Sequence, residues 1–236
     1  MISKGLGGLA AAVALWPAMA VAQVPTSTAD IIPNTSPPSQ SNIARSDRAF
    51  RDLVRCVVRY QPDRTRNLLA TIPGTHAEEL IITSLNARME SCYNFYITGS
   101  GALFMDSTLL RGAVAEAYFG QELRGSLQPA SGASAEQVAA WTQPRAEDNR
   151  IQQIELLHST ARCVTSRQPA AVGALLRTAP LSAEERTAIR SLQTDLSACI
   201  DSGVEFTASR QSLRALLAEA AFHYLEAGRR GFASIR

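Results

Sequence analysis

The chain has 236 residues, 46% of them hydrophobic, and its 23 Lys and Arg nearly balance 21 Asp and Glu. That near-balance argues against nucleic acid as a partner, since such domains usually show a basic face, and that hydrophobic content is ordinary for a globular protein rather than a disordered one. Lys4 is the only lysine, and Arg229-Arg230 is too short a basic cluster to point to a membrane or a nucleic acid.

Residues 1–22 have the order of a secretory signal peptide: a charge at Lys4, an apolar run from Leu6 to Trp16, then Ala20-Val21-Ala22 before Gln23. The apolar run is far short of the ~20 residues of a membrane span. No later segment is long and apolar enough to span either. Residues 23–46 are rich in Pro, Ser and Thr and read as a disordered leader. The expected location is therefore the periplasm or the medium.

The rest of the chain is internally duplicated. Residues 55–92 and 162–199 agree at fourteen of thirty-eight positions without a gap, including Arg55/Arg162, Cys56/Cys163, Gln61-Pro62/Gln168-Pro169 and Cys92/Cys199. After a short deletion, "LRGAVAEAYF" from Leu110 matches "LRALLAEAAF" from Leu213. Two copies of one structural unit are the reading such self-similarity supports.

Each copy reads as helices. Phe50, Leu53, Val54, Val57 and Val58 follow the spacing of an amphipathic helix, which Pro62 ends. A short helix near Arg64–Thr71 is stopped by Pro73. A third begins at a capping box, Thr75-x-x-Glu78 in one copy and Ser182-x-x-Glu185 in the other. Its stripe is Ile82, Leu85, Met89 and Cys92, matched by Ile189, Leu192, Leu196 and Cys199. The fourth carries the repeated Leu-Arg stretch. The expectation is an all-α protein of two tandem four-helix repeats, residues 47–122 and 148–236. Residues 123–147 are a flexible linker with one short helix near Gln137–Trp141.

In an oxidising compartment four cysteines suggest disulfides, and a separation of 36 residues in both copies points to Cys56–Cys92 and Cys163–Cys199. Each would staple the first helix of its copy to the third. The spacing lacks the close pairs of a zinc site.

Charges within very apolar helices need partners. Arg55–Glu116 and Arg162–Glu219 are expected as structural ion pairs within each copy. The competing reading is a catalytic or metal site confined to the second copy. It rests on Glu155-x-x-His158, the spacing of helical-bundle metal ligands, and Glu219-x-x-x-His223. Arg51 and Gly120 stand where those histidines would be in the first copy. His76 reads as an exposed neighbour of a cap. No catalytic motif and no cofactor signature is present, so no catalytic residue and no cofactor is assigned. The functional expectation is a non-catalytic exported helical protein that binds another protein or envelope component, with a chaperone-like role as a variant. A metal-dependent or hydrolytic enzyme centred on the second copy is the alternative.

Overall fold

The structure is a computed structural model that describes residues 40–87, 92, 106–122, 127–128, 133–144, 151–200 and 206–230. The signal-like residues 1–22 and the leader up to Ser39 lie outside the described residues, as do Met89 and the ends of the linker. All regular structure among the described residues is helical. In chain order the helices are α1 (Gln40–Tyr60), α2 (Pro62–Ala70), α3 (His76–Asn86), α4 (Ser107–Glu122), α5 (Ala135–Thr142), α6 (Gln152–Arg167), α7 (Pro169–Arg177), α8 (Ala183–Ser191), α9 (Gln193–Ala198) and α10 (Arg210–Arg230).

Local chemistry sets most boundaries. Pro62 and Pro169 open α2 and α7, where a missing N–H costs nothing. Thr71 and Thr178 end the same helices in extended geometry. The caps of α3 and α8 are half of the expected capping box. Thr75 and Ser182 accept from the N–H groups of Glu78 and Glu185. The two glutamates do not reach back to the cap residues. Their carboxylates accept instead from the N–H of Gly74 and of Leu181, at 2.6 and 2.8 Å. Both of those residues have positive φ, 77° at Gly74 and 63° at Leu181, which turns their N–H groups into reach. The reciprocal box forms at α5, between Ser134 and Gln137.

Three expectations need correction. The leader was placed as far as residue 46, yet α1 begins at Gln40, because no helix breaker follows Pro38 and an established helix gains one bond per added residue. The third helix of the second copy is two helices, because the chain tightens at Leu192, whose N–H bonds to Ile189 three residues back. The segment between the copies is not a free tether where it is described: Leu127 and Trp141 are buried, Leu127 against Gly173 and Trp141 against Tyr224.

The two disulfides form as expected, Cys56–Cys92 and Cys163–Cys199, with Cα–Cα distances of 5.9 and 5.8 Å. Closing a loop of 36 residues stabilises by about 4 kcal/mol in the chain-entropy model. Among the described residues no helix is long and apolar enough to cross a membrane.

The core is one cluster that draws on both copies. Leu53, Val57, Leu68 and Leu85 of the first share it with Val164, Leu175, Leu192 and Leu216 of the second. Ser39–Arg236 accordingly form one compact unit. Its spine is α10, which packs most extensively on α4 and next on α6. At the α4–α10 crossing there is no room for a side chain: a Cβ on Gly112 would lie 2.3 Å from the Ala215 Cα. Tyr118 and Phe222 extend the contact, with ring centroids 5.5 Å apart. Overpacking a crossing of this kind costs roughly 1–3 kcal/mol or more. Gly112→Ala is expected to lower the urea midpoint of the whole unit in a single transition, measured by circular dichroism. A loss of only part of the helical signal would show that the copies unfold separately.

Candidate functional site

The site begins with two arginines that the apolar helices α4 and α10 carry into the interior. Arg111 and Arg214 have side chains only 1% exposed. Each caps the end of the short second helix of its own copy, where carbonyls have no helical partner. Arg111 donates to the carbonyls of Leu68, Leu69 and Thr71 and to the Thr71 hydroxyl. Arg214 donates to Leu175, Leu176 and Thr178 and to the Thr178 hydroxyl. Each also meets its own copy's cap glutamate, Glu78 at 3.3 Å and Glu185 at 3.1 Å.

The remaining guanidinium edge crosses to the other copy. Arg111 binds Glu219 through Nε and Nη2, at 3.0 and 2.5 Å. Arg214 binds Glu116 in the same two-pronged way, at 3.2 and 2.6 Å. These contacts run in opposite directions along the two helices, so α4 and α10 pack antiparallel.

The expected pairs therefore do not form. Glu116 takes Arg214 and Arg51 rather than Arg55, which lies on the outer face of α1, 63% exposed, and bonds to Asp52. Glu219 takes Arg111 rather than Arg162, which turns along its own helix to Glu155 at 2.5 Å and to the Gln143 carbonyl. The physical reason is the α4–α10 contact: once those helices meet at Gly112, the acid of each lies nearest the arginine of the other.

The residues of the alternative site do come together. Glu155, His158, Glu219 and His223 all line one cavity of about 30 Å³, with Arg111, Arg162 and the Thr71–Pro73 segment closing it. His158 Nδ1 and His223 Nε2 each lie 3.6 Å from the Glu219 carboxylate, on its two oxygens. In the first copy Arg51 occupies the place of His158 and is tied to Asp47 and Glu116. Position 120, the counterpart of His223, is a glycine facing open space. His76 is exposed on the surface beside Glu79.

Electrostatics separate the groups. Burial alone would raise the Glu219 pKa, but the Arg111 guanidinium beside it outweighs burial and holds the carboxyl well below its usual range. Burial pushes the His158 imidazole below its ordinary 6.5, only partly offset by Glu219. The site at neutral pH is thus an ionised Glu219 beside a neutral His158.

Chemically the cavity is poor in nucleophiles. The cysteines are in disulfides. The Thr71 hydroxyl is spent on Leu68 and Arg111. Among the described residues no group of three or more His, Cys, Asp or Glu is placed to hold a metal ion. What sequence reasoning missed was the role of Arg111 and Arg214; their repetition was visible, but the opposite copy was not a partner that spacing could suggest. Comparison with known proteins adds no relative: no family model, no curated protein and no solved structure matches the chain.

Two predictions follow from this electrostatic arrangement. Glu219→Gln leaves the buried Arg111 guanidinium with Glu78 as its one carboxylate partner and is expected to cost about 3 kcal/mol. Glu116→Gln should cost less, because its carboxylate is 18% exposed against 4% for Glu219. Chemical denaturation of both variants checks the order. The second prediction concerns acid. Because His158 is held neutral in the fold, its contribution to stability is full above pH ~6.5 and falls as pH drops below that value. A melting curve that declines from pH 7 to pH 5, and flattens over that range in His158→Gln, is the expected result.

Proposed function

We propose that this is an exported, non-catalytic helical protein of the cell envelope, built of two tandem four-helix repeats, which acts by binding another macromolecule. A chaperone-like grip on unfolded chains is the variant with the fewest requirements. The observation that carries the reading is the fate of the two repeated acids. Glu116 and Glu219, the groups best placed to serve as catalytic acids, are committed to arginines of the opposite copy. Chemistry at these carboxylates would have to break the contact that joins the copies. Two disulfides and the lack of a spanning helix among the described residues agree with an oxidising, extracytoplasmic location.

Joining the copies in one body changes what such binding can be. Two independent grips on a flexible tether would gain by effective concentration. A single body instead presents one fixed surface, with Tyr60 and Leu80 exposed at 72 and 58% on the first copy. At the corresponding positions the second copy has Arg167 and Thr187. The surface is therefore not the same on both copies.

The second reading, a metal-dependent or hydrolytic enzyme, is favoured by the convergence of Glu155, His158, Glu219 and His223 on one cavity. One set of measurements separates the two. The protein exported from a bacterial host is weighed intact by native mass spectrometry and then mixed with an unfolded polypeptide while light scattering is followed. Cleavage before Gln23, loss of four thiol hydrogens, no bound metal and suppressed aggregation are the expected results. Metal that disappears on replacing His158 or His223, or ester or peptide hydrolysis that Glu219→Gln abolishes, would make this an enzyme.

A further inference from the structure

The buried network uses most of the polar groups it encloses, which makes a ring nitrogen and a guanidinium donor left over in the second copy informative. His158 Nε2 and Arg162 Nε are buried without a hydrogen-bond partner among the described residues. Both side chains line the same cavity, and they are 5 and 6% exposed. Leaving a buried donor or acceptor unmade works against folding. Holding the copies together does not require this arrangement: Arg51, in the place of His158, has carboxylate partners, and Arg55, in the place of Arg162, is on the surface.

Glu219, held ionised, can only accept, and it faces His158 Nδ1 at 3.6 Å, too far for a hydrogen bond but near enough to favour the ring proton on that nitrogen. Nε2 is then an acceptor, and Arg162 Nε–H is always a donor. The cavity holds a small end group rather than a whole ligand. It also has no spare positive charge. Arg111 is shared between Glu78 and Glu219, and Arg162 is matched by Glu155. A bare anion entering would be a buried, uncompensated charge, which is costly. An anion that arrives with a proton is not.

We propose that this cavity is a carboxyl-recognition site, which takes the carboxylate end of a small acid or peptide together with one proton, placed on His158 Nε2. One ligand oxygen accepts from Arg162 Nε–H and the other from His158 Nε2–H. The resulting imidazolium is stabilised by the ligand and by Glu219 through Nδ1. No bond other than the N–H forms, and the proton comes from solvent. The charged and titratable groups that face His158 are Glu219 and His223 from α10, Arg111 from α4, and Glu155 and Arg162 from its own helix α6. Ile72 and Pro73 supply an apolar part of the lining, which would meet whatever carbon chain carries the carboxyl group. The proposal does not rest on the macromolecule-binding reading.

The test uses the full exported chain with its three histidines labelled in the ring nitrogens. Formate, acetate, N-acetyl-alanyl-alanine and the methylamide of that peptide are titrated at pH 6 and at pH 8. The expected result is a saturable move of His158 Nε2 from the acceptor to the protonated position with the acids, and none with the amide. Calorimetry in buffers of different ionisation enthalpy should count about one proton taken up per site, and binding should weaken from pH 6 to pH 8, as proton uptake requires. Acetate binding as tightly as the peptide assigns the site to free acids, and a much tighter peptide assigns it to chain termini. Arg162→Gln should abolish binding while the His223 signals of the free protein stay in place. If that variant fails to fold, the paired change Glu155→Gln with Arg162→Gln removes both charges and keeps the shape. A His158 ring indifferent to all the acids, binding without proton uptake, or binding that survives loss of the Arg162 donor would each overturn the proposal.

Discussion

The interaction on which the rest depends is the reciprocal grip of Arg111 and Arg214. Each guanidinium closes the C-terminal turn of a short helix in its own copy and then binds the carboxylate of the other copy's long helix. A buried charge is tolerated only when its hydrogen-bonding capacity is used, and these two use theirs on carbonyls, hydroxyls and carboxylates together. A lysine could not do this, because three donors on one nitrogen cannot cover a helix end and a carboxylate at once. The side chain that ends α2 or α7 is thereby also the one that joins the copies.

The disulfides and the arginines act at different ranges. Each disulfide ties the first helix of a copy to a point thirty-six residues on and lowers the entropy of the unfolded chain. Neither crosses between copies. Across that boundary the fold relies on the close approach at Gly112, the Tyr118–Phe222 contact and the two charge pairs. Buried ion pairs add little net stability over apolar packing but penalise wrong arrangements heavily. Their part here is to specify the register of α4 on α10, while the small residues at the crossing and the shared apolar core supply the cohesion.

The differences between the two similar segments account for where the cavity lies. The first copy fills the position beside its glutamate with Arg51, whose charge Asp47 and Glu116 take up. The second copy puts His158 there, adds His223 where the first has Gly120, and buries an Arg162–Glu155 pair on the same helix. An arginine with two carboxylates is a closed arrangement. A neutral imidazole beside an ionised glutamate is open, because it can take a proton when a partner for its second nitrogen arrives. The two copies keep the same clamp, and the second encloses a cavity beside it.

The sequence by itself determined the all-helical class, the proline boundaries of α2 and α7 and the cap positions of α3 and α8, and it favoured the cysteine pairing that the structure shows. These are local or repeated features: a proline acts on its neighbours, a cap on the next turn, and a pair of cysteines in each copy favours the pairing that lets each copy fold as a unit. It also singled out Glu155, His158, Glu219 and His223 as a group, because two short spacings on two helices were enough. Which charge meets which was decided only by the tertiary structure. Arg55 and Arg162 look like partners in a list of apolar helices, since both stand beside a cysteine. Whether such a residue faces inward depends on helix crossings that no local pattern encodes, and the decisive one is a contact between Gly112 and Ala215, a hundred residues apart in the chain. Only that packing brings the acid of one copy to the arginine of the other, and leaves His158 and Arg162 facing a cavity.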